Sequence, residues 1–157
     1  MSNARNAITG ELGRIAVAGK LAEVGILSFP TPRNYPAADL VAYDGDAGVS
    51  SKPLFVQIKT IRGKQAAFWL VGSIDKVRQT PDSLWWVFVD LRPDMKAGPR
   101  FFVVPGRKTK TLAEAPIRGN KFDGQASVKR TAIQQFEKNW AGIVNMIRSK
   151  VDRAEAR

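Results

Sequence analysis

The sequence contains no cysteine and no histidine. The first absence removes disulfides, thiolate zinc sites and thiol nucleophiles together. The second removes histidine-based triads and most transition-metal sites. Any chemistry therefore falls to Asp, Glu, Lys, Tyr, Ser or Thr. No apolar run approaches the roughly 18 residues of a spanning helix, and the N-terminus shows no apolar signal core. The expectation is a soluble, cytoplasmic protein with no membrane partner. Acidic residues are also few, 14 against 25 Lys and Arg, leaving a net charge of +11. That balance suits a polyanion, with nucleic acid as the leading partner class and solubility alone as the other explanation.

What is present fits one domain over residues 1–157, with 44% hydrophobic residues to build a core. Residues 1–4 and 152–157 are expected to be flexible ends. Ile8, Leu12, Ile15, Ala18 and Ala22 recur at helical spacing and predict a helix from about Ala4 to Val24. Val17, Leu21 and Val24 form a second line on its other side, so the helix is expected to be buried on more than one face. Gly10, Gly13 and Gly19 disfavour a helix interior and signal either close approach by a neighbour or a late helix start. Ile26–Phe29 reads as a short strand, and three prolines between Pro30 and Pro36 mark a loop. Strands are expected at 38–43 and 54–60, joined through the Asp44-Gly45-Asp46 turn as an antiparallel hairpin.

Farther along, Ala67–Val71 is either a strand or an apolar edge, and 73–83 has room for a helical turn. Trp85–Leu91 and Phe101–Val104 read as neighbouring central strands. Residues 106–125 show no period and read as a long irregular segment. A closing helix is expected from about Val128 to Val151, with Ile133, Phe136, Trp140, Ile143, Val144 and Ile147 on one stripe. Positive charge is concentrated between Lys96 and Arg130, where nine Lys or Arg face only Glu114 and Asp123.

One strand breaks the apolar pattern. In Leu54-Phe55-Val56-Gln57-Ile58-Lys59-Thr60 the alternation of strand side chains puts Gln57 and Lys59 on one face. A lysine in a buried strand needs a partner, and Asp39 on the preceding strand offers a carboxylate. Glu11 sits on the first helix, where its simplest role is a first-turn carboxylate reaching Arg14.

The order helix-Glu11, strand-Asp39, strand-Gln57-x-Lys59 resembles the core of the PD-(D/E)XK nuclease superfamily. It is closest to its small Holliday-junction-resolvase-like and restriction-endonuclease-like members. The motif-bearing match spans Glu11 to Thr60, with a looser match over the later strands. Two positions depart from the pattern: Ala38 replaces the motif proline, and Gln57 replaces the second acid, removing one negative charge from a hard-cation site.

The resemblance implies an α/β fold with a central mixed sheet of about five strands flanked by an N-terminal and a C-terminal helix. It also implies Mg²⁺-dependent endonuclease activity on DNA, with Mn²⁺ as a substitute, and a homodimer of the kind many members form. Carried over by position, Asp39 is the metal-binding Asp, Gln57 the second-motif ligand, Lys59 the motif lysine and Glu11 the helical Glu of a subset of members. Chemically, Asp39, the Gln57 amide oxygen and the Ile58 backbone carbonyl form a set of hard oxygen donors for one metal. Glu11 would hold a metal-bound water or a second ion. Lys59, on the Gln57 face, would orient the attacking water or balance charge, staying protonated beside carboxylates. A plain Lys59–Asp39 pair is the structural alternative, and a nucleic-acid-binding module decayed at Gln57 is the functional one. Arg62, Lys64, Arg107, Lys108 and Lys110 are the candidate phosphate contacts.

Overall fold

The computed structural model describes residues 2–32, 35–47, 52–63, 67–92, 96, 98–115 and 123–155, with side chains between 4 and 149 of that set. Helix α1 spans Ser2–Glu23, strand β1 Ile26–Pro30, β2 Leu40–Asp44, β3 Leu54–Ile61 and β4 Phe68–Gly72. Then follow α2 (Ile74–Gln79), β5 (Trp85–Asp90), β6 (Arg100–Pro105), α3 (Gly106–Leu112), β7 (Ala126–Lys129), α4 (Arg130–Ile133), a 3₁₀ turn and α5 (Trp140–Glu155). Helix thus reaches into both ends that were expected to be flexible.

Five strands form the mixed central sheet in the order β1-β2-β3-β5-β6, matching the expected architecture. β3 and β5 run parallel, and every other neighbouring pair is antiparallel, including the β2–β3 hairpin. β6 is an outer strand, where the sequence had suggested a central one. Even-numbered residues of β3 (Leu54, Val56, Ile58) join Val17 and Leu21 of α1 and Ile143 and Ile147 of α5 in one core cluster. Odd-numbered Phe55 and Ile61 pack against a second cluster on the other face, built from Trp69, Trp86, Phe88, Phe102 and Val128. The small antiparallel β4–β7 sheet contributes to that second layer. With a core on each face, β5 is buried along its whole length, which explains its unbroken apolar run.

Three sequence expectations are corrected. The stripe expected to bury most of α1 points outward: Ile8, Leu12 and Ile15 are 56%, 41% and 56% exposed. The buried line is Gly13, Val17 and Leu21, with Val24 half-buried. Val17, Leu21 and Val24 are the second line expected from the sequence, and Gly13 extends it by one turn. A Cβ there would lie 1.9 Å from Thr60 Oγ1, so the missing side chain is what lets α1 settle onto β3.

The closing helix from Val128 is interrupted. Val128 pairs in β7 with Trp69, and Lys138 takes a left-handed φ of 56° before α5 starts at Trp140. Here the chain turns around the open edge of β6, Glu137 bridging to Phe102 and the Lys138 amide donating to the Phe101 carbonyl at 2.9 Å. Ile133 therefore belongs to one core and Trp140, Ile143 and Ile147 to the other. Satisfying the edge-strand backbone outweighs helical continuity. The segment expected to be irregular holds α3 and a bridge between Glu114 and Ser127, while 116–122 lie outside the described residues.

The α1–β3 contact is testable. Gly13→Ala should destabilise the protein by about 1–2 kcal/mol in urea unfolding, overpacking outweighing the gain of about 1 kcal/mol in helix propensity. Thr60→Ala in the same chain should return part of that loss, whereas strict additivity would show that the two residues do not press on each other.

Candidate active site

The polar group forms where β2 has just begun and β3 continues past it. Asp39 immediately precedes β2, held there by its own backbone: its amide donates to the Val56 carbonyl at 2.8 Å and its carbonyl accepts from Thr31 at 3.0 Å. The Thr31 hydroxyl donates to the Ala38 carbonyl at 2.6 Å, pinning the proline loop to the same point. Past the Leu40–Val56 pair, where β2 starts, the β3 backbone lacks a strand partner on this side, and the Asp39 side chain takes that place. Asp39 Oδ2 accepts from the Ile58 amide at 2.6 Å and from Gln57 Nε2 at 2.5 Å. Gln57 Nε2 also lies 3.4 Å from the Ile58 carbonyl oxygen. Asp39, Gln57 and the Ile58 backbone thus converge within hydrogen-bond distance.

Lys59 is half-buried on the Gln57 face. Among the described residues it has no ion-pair partner, and Asp39 acts on it through space. The simple Lys59–Asp39 ion pair is therefore not what forms; Asp39 Oδ2 takes two amide donors instead. Burial pushes the Lys59 ammonium below its ordinary pKa, and Asp39 opposes the shift only in part. The sequence argument had weighted the carboxylate above desolvation, and the order is the reverse. Burial likewise raises the Asp39 carboxyl above its usual range, against the pull of the Ile58 amide, the Lys59 and Arg14 charges and the Gln57 amide.

Glu11 is exposed and forms a two-pronged ion pair with Arg14, which holds its carboxyl below the ordinary range. Its first engagement is thus the i,i+3 pair that helix geometry favours. Arg14, expected from the sequence only as the partner of Glu11, has a second role. It is near enough to Asp39 to lower that carboxyl's pKa, so α1 brings a cation as well as a carboxylate to this end of the sheet. Among the described residues no three Asp or Glu side chains gather into a metal-binding group. The donors on hand are one carboxylate, one amide and one carbonyl. Gln57 presents nitrogen to Asp39; a half turn of its amide would present Oε1 at the cost of that hydrogen bond. With that turn, the set fits a hard cation with oxygen ligands.

Arg62 follows β3 directly and lines a surface hollow with Arg5, Ile8 and Thr9 of α1. Arg107, Lys108 and Lys110 are elsewhere. α3 leaves from the far edge of the sheet, three strand spacings or about 14 Å from the β2 position, and Lys110 is paired with Asp82 at 2.8 Å. Lys64 lies outside the described residues. A second charged group was legible in the same way as Gln57 and Lys59 but went unread. Asp90 closes the apolar β5 run, is fully buried, and is met by Arg92 Nε at 2.9 Å and an Arg130 guanidinium nitrogen at 2.8 Å.

The Asp39–Lys59 coupling has a direct test. In Lys59→Met the Asp39 pKa should rise further, because a charge that now lowers it is gone. In Asp39→Asn the Lys59 pKa should fall further for the same reason. Carboxyl and ε-carbon NMR titrations read both; no movement in either variant would separate the two groups.

No protein-family model matches the chain, and no curated protein matches its sequence. Several solved structures resemble it, two of which show the range of the likeness. A bacterial homing endonuclease superposes with a TM-score of 0.55 at 16% identity, covering 96% of this chain and 97% of that one. A Holliday junction resolvase from the archaeal hyperthermophile Archaeoglobus fulgidus gives a TM-score of 0.46 at 16% identity, covering 80% of this chain and 93% of that one. With the sheet order and flanking helices described above, the chain has a restriction-endonuclease-like α/β fold.

Proposed function

We propose that this protein is a metal-dependent endonuclease that hydrolyses DNA phosphodiester bonds at Asp39, Gln57 and Lys59. The observation that carries this reading is the convergence of Asp39, the Gln57 amide and the Ile58 backbone beside a half-buried lysine. The net charge of +11 and the fold shared with a homing endonuclease support it.

The residues that would hold Mg²⁺ or Mn²⁺ are Asp39, Gln57 through Oε1 and Ile58 through its carbonyl, with Glu11 as a further ligand if it leaves Arg14. Such an ion, when bound, polarises the phosphate and acidifies a water. Lys59 holds the phosphate or orients the attacking water, and its ammonium opposes the negative charge that grows on the phosphoryl oxygens. Its lowered pKa also eases exchange of a proton with that water. Burial raises the Asp39 carboxyl, and the Ile58 amide, Lys59 and Arg14 oppose that rise in part. Arg62 lies at the open end of β3, suited to contact the backbone of a bound strand. A second copy of the chain is the proposed protein partner; the outward apolar stripe Ile8, Leu12 and Ile15 supports it.

One observation favours a second reading, a binding module on the same fold. The site carries a single half-buried carboxylate, and Glu11 is paired with Arg14. The readings part on turnover. For the endonuclease, DNA cleavage requires Mg²⁺ or Mn²⁺ and drops about 100-fold or more in Asp39→Ala and in Lys59→Ala. Gln57→Glu should tighten Mn²⁺ binding by calorimetry. Cleavage persisting in both alanine variants sinks the site assignment, and salt-sensitive DNA binding without turnover favours the module. For backbone contact, Arg62→Ala should reduce the slope of log affinity against log salt by about 1, and an unchanged slope removes Arg62 from the interface.

A further inference from the structure

Beside the site lies a pocket of about 240 Å³ whose lining includes Tyr35, Ala38, Phe55, Pro81, Ser83 and Leu84. It is below the roughly 300–1,000 Å³ of pockets for drug-sized ligands, so its natural occupant is a single small ring system. None of its lining residues is charged. Tyr35 and Phe55 are stacked, ring centroids 5.3 Å apart and planes within 15°, and Tyr35 keeps 42% of its surface exposed. A parallel aromatic pair with surface still open is a platform for a third flat ring.

The pocket and the site share two stretches of chain. Ala38 precedes Asp39, and Phe55 lies on the same face of β3 as Gln57, two residues or about 7 Å away. That is the scale of one nucleotide step. The charge of the chain draws phosphates, while the uncharged, aromatic pocket next to Asp39 suits the one part of a nucleotide that is flat and uncharged. Bases within an intact duplex are stacked and cannot reach such a pocket without leaving the helix.

We infer that the Tyr35–Phe55 pocket receives an unpaired nucleobase of the strand whose phosphate lies at Asp39 and Lys59, so that the preferred substrate carries an unpaired base next to the scissile bond. This rests on the nucleic-acid reading of the site. It selects among substrates by the presence of an extruded or unpaired base, without base-specific contacts, since stacking tolerates all four bases.

The test is a binding measurement without divalent metal, using a duplex with a one-base 2-aminopurine bulge and the same duplex with an abasic bulge. The wild type should bind the base-containing bulge about tenfold more tightly and quench its fluorescence. Tyr35→Ala should lose both effects and Tyr35→Phe should keep them. Ser83→Trp, which fills the pocket and leaves Tyr35 in place, should also lose them, with circular dichroism checking that each variant is folded. Equal affinity for the two bulges, or a preference that survives Tyr35→Ala, overturns the inference. Asp39→Ala separates it from the endonuclease reading, since cleavage should disappear while the base preference remains. A wild type that cleaves with no preference defeats the pocket alone. One that shows the preference and never cleaves supports the pocket and defeats the endonuclease. A chain that binds neither duplex defeats both.

Discussion

The arrangement depends on one carboxylate oxygen. Asp39 Oδ2 takes the Ile58 amide and the Gln57 side chain together, completing on β3 the hydrogen bonding that β2, which begins at Leu40, does not reach. Without it the β3 backbone would have an unpaired donor at buried Ile58 next to a half-buried lysine, a costly pairing of defects. Because the Asp39 backbone is itself tied to Val56 and Thr31, the proline loop, the hairpin and the polar face of β3 are held as one unit. This rigidity sets the chemistry: a carboxyl raised and an ammonium lowered by the same burial, each partly restrained by the other. Groups shifted this way are costly for stability, and clusters of them are a mark of functional sites.

That geometry is set by the two cores. The face of β3 that carries Leu54, Val56 and Ile58 is sealed by α1 and α5, and the close approach of Gly13 to Thr60 is what brings Glu11 and Arg14 to the end of the strand. The other face carries, in order, Phe55, Gln57, Lys59 and Ile61, so that an aromatic pocket, a polar centre and an apolar contact with the second core follow one another along a single row. At the end of that row, next to Ile61, stands buried Asp90 with Arg92 and Arg130. A buried carboxylate met by two guanidiniums anchors the end of β5 to the start of α4, and breaking it from one side would strand a charge in the core.

Much of this was legible in the residues. Apolar β5 and β6, the Asp44-Gly45-Asp46 turn and the polar pair in β3 each carry a local signal that follows from strand alternation and turn chemistry, and each element formed where expected. The α1 error has a definite cause. Periodicity shows that a face is apolar and not which neighbour meets it: of the two apolar lines on α1, the shorter one, extended by Gly13, is the one that meets β3. The false long helix at the C-terminal end has another. Ile133, Phe136, Trp140, Ile143 and Ile147 do keep helical spacing, but the edge of β6 lies in their path and its open hydrogen bonds draw the chain out of the helix.

The sequence by itself determined the alternation that puts Gln57 and Lys59 on one face, the carboxylate one strand away and the basic surface, because these depend on covalent order and on local backbone geometry. Only the tertiary structure decided what the groups do to one another. It gave Asp39 to the Ile58 amide and not to Lys59, turned Glu11 toward Arg14, brought Arg14 within reach of Asp39 and set Tyr35 against Phe55. Such pairings depend on distances across elements and on how much water is left between them. Coulombic attraction, desolvation and stacking all change steeply over a few ångströms, and no spacing along the chain encodes that.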